Sequence, residues 1–494
     1  MRRRDLLSAS ALAAAPTPVR PNVLVLMTDQ QRFDCLGSNG NRILRTPHLD
    51  RLASGSANFR HAFVQSPVCV PSRVSYFTGR YAHSHRNRVN YTPCDSREVF
   101  WQRLMKDAGY QTASVGKLHY WPPTREHARF TGWDRVYLDD GVPKTDSYSD
   151  YVKWRQSNDP RPDVHYNAVL PGGRNPFRGA TDYRYSPTRW TGMQSVELLR
   201  EFAASSKPFF LFSSFFKPHS PYTVPEPFAS LYDGVEIPLP PQVSLQTIQA
   251  LPKPVRTQIL RGRFYDMDRA RLQWIYRSYY GAVSMVDDQI GKILEELDRS
   301  GKADSTIVIF VSDHGDQLLE HGLPEKNVFF EASVRVPCLI RYPPRVSPGV
   351  RDDLLESIDL LPTVLSWCGI PVPKTVQGRA IDSYTANPRQ IVFSENVMPE
   401  VITGGTSDRP FVPGKGVAGV RHPDGKMART RRWKLNYYPG EGGELYDLEN
   451  DPGETRNLFN DPSRQGIVSD LKGAILDWII TAGENDQIAE RWMT

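Results

Sequence analysis

Two pairs of polar residues, each placed directly after an apolar run, could bind a metal ion. They are Asp29 and Gln30 after residues 22–27, and Asp313 and His314 after residues 306–311. Apolar runs of this kind are typical of strands buried on both faces, and polar residues just past such strands lie at the rim of a parallel sheet. Carboxylate, amide and imidazole groups all bind divalent cations. Either pair alone is equally typical of a turn, but together they predict a metal site.

Three further segments carry basic residues and histidines that could bind an anion. Lys117 and His119 lie two residues apart, which on a strand places a compact positive charge and a base on the same face. His219 lies between prolines at positions 218 and 221, which fix the backbone around its imidazole. Lys326 follows the second polar pair after a short segment. An exposed lysine and a hydrogen-bonded histidine would explain the pair Lys117 and His119 if it stood alone.

The segment Cys-Val-Pro-Ser-Arg at 69–73, followed by Thr-Gly-Arg at 78–80, connects these residues to a known family. The pattern Cys-x-Pro-x-Arg alone occurs by chance in many long proteins, but here the other required positions are occupied as well. The chain therefore resembles the type I sulfatases of the alkaline phosphatase superfamily. In that family a formylglycine-generating enzyme oxidises the cysteine to formylglycine, whose hydrate is the nucleophile.

The resemblance implies a complete active site. Its metal ligands would be Asp29, Gln30, Cys69, Asp313 and His314, and its catalytic residues would be Cys69, Arg73, Lys117, His119, His219 and Lys326. The cofactor would be one divalent cation. Calcium suits a ligand set made mainly of oxygen, and manganese or a similar ion is the alternative because of the imidazole.

The resemblance also implies a reaction. Lys117, Lys326 and Arg73 would offset the charge of the sulfate, and Arg73 would orient the hydrate. One hydroxyl of the hydrate would attack sulfur while His219 or Lys326 protonates the departing alcohol. His119 would then deprotonate the second hydroxyl, which expels sulfate and restores the aldehyde. An unmodified cysteine has no second hydroxyl with which to expel sulfate, so the unmodified protein would be nearly inactive.

Gln30 departs from the family pattern, because many sulfatases carry a second aspartate at this position. A glutamine here resembles the phosphonate monoester hydrolase branch of the same superfamily, so hydrolysis of phosphonate or phosphate esters is the alternative activity. That branch generally lacks the Lys117 and His119 pair, which favours sulfate. A third hypothesis is a sulfate-binding protein whose cysteine is never converted. The expected substrate is a sulfated carbohydrate, with choline-like and aryl sulfates as alternatives.

The composition is that of a soluble globular protein without a nucleic-acid partner. The net charge of +6 over 494 residues is diffuse, with no Lys/Arg run beyond the N-terminus, and gives no sign of nucleic-acid binding. Cys338 and Cys368 lie in apolar runs that predict buried thiols. Cys35 could pair with Cys94 in an oxidising compartment.

The first 20 residues resemble a signal peptide. Three arginines at 2–4 precede a short apolar stretch that ends in three alanines at 13–15, which is the order of a charged, an apolar and a cleavage region. Arg3 and Arg4 followed by two leucines resemble a twin-arginine signal. No run reaches the ~20 apolar residues that a membrane span needs. We therefore expect export to a bacterial periplasm and no stable membrane anchor.

Alternating apolar strands and amphipathic helices predict an α/β catalytic domain over residues 21–375. The resemblance implies an alkaline-phosphatase-like, mainly parallel sheet with helices on both faces. Residues 121–187 show no clear period and are predicted to be long loops over the site, where they would shape the leaving-group pocket together with a loop at 396–415.

The pattern changes after residue 375. Short apolar segments with turn residues between them predict strands at 391–394, 416–420 and 433–438, and an amphipathic helix is predicted over 464–482. We interpret residues 376–494 as a smaller C-terminal subdomain with an antiparallel sheet.

Overall fold

The computed structural model describes residues 20–90, 92–119, 122, 124–140, 149–171, 175–262, 264–397 and 424–483. The predicted strand at 416–420, nearly all of the predicted signal peptide and most of the predicted loop at 396–415 lie outside these residues. Within them, no helix has both the length and the apolar composition needed to cross a membrane.

Thirteen strands are present in the described part of the chain: β1 Asn22–Asp29, β2 Ala57–Phe63, β3 Gln111–Gly116, β4 Arg135–Leu138, β5 Phe209–Pro218, β6 Thr306–Ser312, β7 Arg335–Val336, β8 Cys338–Arg341, β9 Gly349–Glu356, β10 Val392–Val397, β11 Asp424–Arg429, β12 Trp433–Tyr438 and β13 Gly442–Asp447. The same residues form thirteen α-helices: α1 Pro47–Ser54, α2 Cys69–Thr78, α3 Ala82–His85, α4 Trp101–Asp107, α5 Arg125–Phe130, α6 Asp150–Asn158, α7 Pro187–Ala203, α8 Leu245–Gln249, α9 Lys253–Gly262, α10 Arg269–Arg299, α11 Glu331–Val334, α12 Leu360–Trp367 and α13 Gln465–Gly483.

The main sheet has nine strands and is mainly parallel, as predicted. Eight of its strands run in the order β4-β3-β5-β1-β6-β8-β2-β7, and β9 pairs with β2. The five strands from β4 to β6 in this order are all parallel to their neighbours. β8 is antiparallel to both β6 and β2. Because parallel strands end at the same edge, the segments that follow β1, β3, β5 and β6 meet there.

Both faces of this sheet are covered by helices. Along β1, alternate residues enter two separate hydrophobic clusters: Val23 and Val25 enter one, and Leu24 and Leu26 enter the other. Helices α2, α4 and α12 contribute to the first cluster, and α1, α7 and α10 contribute to the second. A strand buried on both faces needs apolar residues at every position, which explains why β1 and β6 are apolar without alternation.

The C-terminal subdomain contains the predicted antiparallel sheet, with strand order β10-β11-β12-β13. Helix α13 packs Val468, Leu471 and Trp478 against residues of this sheet, among them Phe393 and Leu435. The predictions of a strand at 433–438 and of the C-terminal helix are confirmed, and β11 adds a strand that the sequence pattern did not predict.

Two predictions about the catalytic domain are wrong in part. Residues 121–187 are not only loops, because they contain α5, β4 and α6; β4 has four residues, too few for its alternation to be distinct in the sequence. Lys117 and His119 do not share a strand face, because β3 ends at Gly116 and His119 has a left-handed φ of 50°. Cys338 and Cys368 are buried as predicted, and Cys35 is a buried free thiol, so it forms no disulfide with Cys94.

Candidate active site

Four metal-binding side chains converge at the carboxyl-terminal edge of the main sheet. One ligand atom each from Asp29, Cys69, Asp313 and His314 lies within 4.8 Å of the other three, and all four residues are buried. A cation with ligands at about 2.0–2.6 Å separates its ligand atoms by distances of this size. The cluster therefore has the donors and the spacing of a divalent metal site.

Pairing between β1 and β6 brings the two aspartates together. Thr28 and Ser312 are partners in the parallel register, so Asp29 and Asp313 follow as neighbours at the ends of adjacent strands. The backbone N–H of Asp313 donates to the carbonyl of Thr28 at 3.2 Å. The backbone N–H of Gln30 donates to Oδ1 of Asp313 at 3.0 Å. The two strand ends are thus tied to each other as well as to the metal cluster.

The ring of His314 is oriented as a metal ligand. Nδ1 lies 2.9 Å from the carbonyl oxygen of Gly315, and a carbonyl can only accept, so Nδ1 carries the proton. In the neutral ring, Nε2 therefore presents its lone pair to the cluster, 3.1 Å from Sγ of Cys69 and 3.8 Å from Oδ1 of Asp29. A second hydrogen bond that fixes the tautomer in this way is usual for metal-binding histidines. The residues present fit a divalent cation.

Cys69 is the first residue of helix α2 and is 1% exposed. The backbone N–H of Val70 donates to Oδ1 of Asn90 at 3.1 Å, which satisfies one free donor of the helix N-terminus. Burial and the charge of Asp29 raise the pKa of the Cys69 thiol, but the neighbouring Lys117, Lys326 and His314 outweigh them, and the net pKa is lowered. These surroundings favour an anionic group at this position.

Arg73 lies one turn further along α2 and is fully buried. Its Nε donates to Oδ2 of Asp313 at 2.7 Å, and its Nη2 lies 3.5 Å from Oδ2 of Asp29. Nη1 donates to the carbonyl of Lys117 at 2.6 Å and to Oγ of Ser214 at 3.0 Å. Arg73 therefore links the carboxylates of the metal cluster to the end of β3 and to Ser214 within β5.

Lys117 lies beside the metal cluster. Its ammonium forms an ion pair with Oδ2 of Asp29 and lies 4.0 Å from Sγ of Cys69. Burial alone would raise the pKa of Asp29, but Lys117, His219 and Arg73 hold it well below its ordinary range. Asp29 is therefore ionised at neutral pH and available to a cation.

Lys326, His219 and Gln30 form a hydrogen-bonded chain on the other side of Cys69. The ammonium of Lys326 donates to Oε1 of Gln30 at 2.6 Å and to Nε2 of His219 at 2.8 Å. Nδ1 of His219 donates to the carbonyl of Ser220 at 2.6 Å, so Nε2 is the unprotonated nitrogen. Burial, followed by the charge of Lys326, holds the pKa of His219 well below its ordinary range.

Asp316 and Tyr222 orient the amide of Gln30. Nε2 of Gln30 donates to Oδ2 of Asp316 at 2.7 Å, and the hydroxyl of Tyr222 donates to the same oxygen at 2.8 Å. Since Nε2 faces Asp316, the carbonyl oxygen Oε1 faces Lys326 and the site. Gln30 therefore lies beside the four-residue cluster with its ligand atom bound to a cationic side chain.

The structure brings the site residues predicted from the sequence to the carboxyl-terminal edge of the main sheet, where His119 lies close enough to Lys117 and Arg73 to be affected by their charges. Sequence reasoning missed a set of residues that hold the others in place: Ser72, Asn90, Asp140, Ser214, Tyr222 and Asp316. Tyr222 and Asp316 lie inside segments that the motifs had marked, which was a usable signal. Asp140 lies in a region interpreted as loop, and no pattern in the sequence indicated it.

The fold is that of the alkaline phosphatase superfamily, and its site has four side chains that could hold a divalent cation. A family model for sulfatases matches residues 21–370. An arylsulfatase of Clostridium perfringens is 29% identical, over 92% of this chain and 95% of its own length. Human iduronate 2-sulfatase is 27% identical, over 89% of this chain and 91% of its own length. The chain belongs to the sulfatase family and is a sulfuric ester hydrolase.

Solved structures agree with this fold assignment. The phosphonate monoester hydrolase of Agrobacterium radiobacter has a TM-score of 0.79 at 24% identity, covering 94% of this chain and 96% of that one. A similarity at this level of identity establishes the shared fold. The prediction of a mainly parallel sheet with a smaller antiparallel subdomain is thus confirmed, as is the prediction of an enzyme over a sulfate-binding protein.

Proposed function

We propose that this protein hydrolyses a sulfated carbohydrate to an alcohol and inorganic sulfate, with formylglycine made from Cys69 as the nucleophile. The observation that carries the proposal is the environment of Sγ, which lies 3.1 Å from Nε2 of His314 and 4.0 Å from Nζ of Lys117. A structural thiol gains nothing from such neighbours. A group that must attack an anionic centre needs both activation and positive charge around it.

Lys117 and Lys326 are the residues proposed to bind the sulfate oxygens. Both are buried, at 1% and 6% exposure, and charges act more strongly on a bound anion where water is excluded. A divalent cation held by Asp29, Cys69 and the pair Asp313-His314 would, when bound, polarise the sulfate and lower the pKa of the nucleophile. Calcium is our first choice and manganese the second, and metal analysis of the purified protein distinguishes them.

His119 is proposed as the base. Burial, then the charges of Lys117 and Arg73, hold the pKa of its imidazole well below the ordinary value. The ring is therefore neutral at neutral pH and has a lone pair that can take a proton.

Lys326 is proposed as the acid that protonates the departing alcohol. Because Nδ1 of His219 donates to the carbonyl of Ser220, its Nε2 has no proton to give and accepts from Lys326. An alkoxide is basic enough to take a proton from an ammonium group. His219 then acts by holding and orienting the ammonium, and this hydrogen bond supports Lys326 over His219 as the donor.

Aromatic side chains support a ring-shaped leaving group. The Phe216 ring centroid lies 5.1 Å from that of His219 and 6.5 Å from that of Tyr166. Tyr166 is partly exposed and stacks on the exposed ring of His165 at 4.8 Å. Aromatic faces of this kind pack against the C–H faces of sugars, and the similarity to iduronate 2-sulfatase supports a sugar sulfate.

Maturation and export complete the proposal. Cys69 is 1% exposed inside a helix, which supports its conversion by a formylglycine-generating enzyme before the chain folds. Arg3 and Arg4 in the N-terminal segment support a twin-arginine route to the periplasm, since that route suits a protein modified and folded in the cytoplasm.

The test uses protein produced together with a formylglycine-generating enzyme. Release of inorganic sulfate is measured from a panel of sulfated mono- and disaccharides and from 4-nitrophenyl sulfate, with Cys69→Ala prepared identically as the control. We expect at least one sugar sulfate to be cleaved with a higher kcat/KM than the aryl sulfate. A clear preference for aryl sulfate over the whole panel would contradict the carbohydrate assignment while leaving the sulfatase assignment intact.

Hydrolysis of phosphonate esters is the second candidate, and Gln30 favours it. A neutral amide lies next to Lys326 where many sulfatases carry a carboxylate, and this difference resembles the phosphonate monoester hydrolase branch of the superfamily. An aryl phosphonate monoester carries the same single charge as an aryl sulfate, so the site would accept both. Comparison of kcat/KM for 4-nitrophenyl sulfate and 4-nitrophenyl phenylphosphonate separates the candidates, and a clear preference for the phosphonate would overturn the first.

A further inference from the structure

Asp140 is a buried carboxylate that holds the segment carrying His119. It lies two residues after the end of β4, is 6% exposed, and its Oδ1 accepts from the backbone N–H groups of Leu118 and His119 at 2.8 and 3.0 Å. No motif and no part of the proposed reaction uses this residue. Its two hydrogen bonds fix the backbone where β3 has ended and the chain turns.

That turn is unusual for a residue other than glycine. His119 has a φ of 50°, in the left-handed region that side chains with a Cβ rarely adopt. Such conformations persist when surrounding contacts enforce them, and they are concentrated at functional sites. The carboxylate of Asp140 is a contact that holds this one, because it binds the amide of the strained residue itself.

Two polar atoms of this pair are buried and unsatisfied. Among the described residues, neither Oδ2 of Asp140 nor Nδ1 of His119 has a hydrogen-bond partner. A buried polar atom without a partner is costly, and native proteins keep few of them without a reason. Since Oδ1 already bonds the His119 backbone, the two unsatisfied atoms belong to residues in direct contact.

We propose that Asp140 is the positioning residue of His119. Oδ1 fixes the turn, and Oδ2 receives Nδ1–H when substrate is bound, so that Nε2 stays unprotonated and ready to take a proton. The carboxylate then stabilises the imidazolium that forms when Nε2 is protonated, and no covalent bond to Asp140 is made or broken. This inference rests on the proposed role of His119 as base.

The charges around the pair are consistent with this role. Lys117, Arg73 and Lys326 act on the imidazole and disfavour its charged form, whereas Asp29 favours it. Lys117 and Arg73 also act on Asp140, whose pKa burial raises. A base surrounded by three cations needs a nearby negative charge to hold the proton it accepts, and Asp140 is placed to provide one.

The experiment is a double-mutant cycle on mature enzyme with 4-nitrophenyl sulfate as probe. Asp140→Asn keeps an oxygen for the two amides but cannot accept from Nδ1–H. We expect it to lower kcat by about 10–100-fold with little change in KM, the range typical of residues that orient a functional histidine. His119→Ala should lower kcat by about 10²–10⁴-fold, and the double variant should be no slower than His119→Ala alone.

Asp134→Asn is the matched control. Oδ2 of Asp134 accepts from the backbone N–H of Thr112 at 3.2 Å, at the opposite end of the same pair of strands. It should lower the melting temperature without changing kcat. A loss of kcat in Asp140→Asn that persists unchanged in the His119→Ala background, or a loss of melting temperature alone, would overturn the link between the two residues. Full activity of His119→Ala would overturn the base assignment, and with it this inference.

Discussion

Two buried charge clusters of this molecule each contain a lysine, Lys434 in one and Lys326 in the other, and these two lysines differ in how they are neutralised. In the C-terminal ion cluster, defined here as Glu331, Arg429, Lys434 and Glu454, the fully buried Lys434 pairs with two carboxylates, at 3.2 Å to Glu331 and 2.7 Å to Glu454. In the active site, the nearly buried Lys326 donates to two neutral groups, the amide of Gln30 and the imidazole of His219.

The difference has a physical meaning. A buried lysine between carboxylates has its charge compensated within the protein, so Lys434 joins the C-terminal sheet to α11 and has no capacity for a ligand. Lys326 forms no ion pair with any described residue, so its positive charge is available to an anion. The charge of Lys434 is neutralised without a ligand, whereas the charge of Lys326 would be neutralised by a bound anion. The following predictions test this contrast, from the largest effect to the smallest.

Cys69→Ala should abolish activity. Because the nucleophile is removed, we expect kcat to fall by about 10⁴-fold or more, the scale seen when a catalytic nucleophile is deleted. Hydrolysis of 4-nitrophenyl sulfate under saturating conditions measures this. Residual activity within tenfold of the mature protein would mean that another group attacks the ester.

Lys326→Met should lower kcat/KM by about 10²–10³-fold, since one preorganised charge facing the developing anion is lost. Its thermal stability should change little, because no carboxylate is left unpaired in the described structure. Steady-state kinetics and a melting curve on the same preparation measure both quantities. A large drop in melting temperature with unchanged kcat/KM would show that Lys326 is structural.

Lys434→Met is the matched substitution in the other cluster and should give the reverse pattern. Removal of the lysine leaves Glu331 and Glu454 buried side by side, which we expect to cost about 3–5 kcal/mol of unfolding free energy. The kcat of the folded variant should stay close to that of the parent. Denaturant unfolding measures the free energy of unfolding. If Lys434→Met kept its full stability, Lys434 would not be needed to compensate Glu331 and Glu454.

Glu454 should make stability depend on pH. Burial raises its pKa from 4.5 to about 7, with Glu331 adding to the rise and Lys434 opposing it. A folded-state pKa above the unfolded value means that the contribution to stability is complete below pH 4.5 and is lost as pH rises through 7. Glu454→Gln should therefore flatten the unfolding free energy between these pH values. If the pH dependence of the unfolding free energy is the same in Glu454→Gln as in the parent, the raised pKa of Glu454 is contradicted.

The sequence was most informative where polar residues directly follow predicted strands. Asp29 and Asp313 could be placed together because apolar runs of this length predict adjacent buried strands whose ends meet. The spacing of two residues predicts that His119 shares a strand face with Lys117. In the structure, β3 ends at Gly116 and a left-handed turn follows. That turn depends on Asp140, about twenty residues away, and such long-range contacts have no periodic signature in the sequence.

The contrast between Lys326 and Lys434 also depends on contacts between residues that are distant in the sequence. Only the three-dimensional partners of the two lysines distinguish a free charge from a paired one. Glu331 lies five residues after Lys326 and yet pairs with Lys434, 103 residues distant. Local sequence could identify Lys326 through the family resemblance, but not through its charge environment.

The central claim is that Cys69 becomes the nucleophile of a sulfatase, and the mass of the peptide that contains it tests this most directly. The protein is produced together with a formylglycine-generating enzyme, digested, and the peptide around residues 69–73 is weighed, with a known sulfatase matured in parallel. We predict the mass of the aldehyde or its hydrate. An unmodified thiol in this protein, alongside an aldehyde in the parallel sulfatase, would contradict the account.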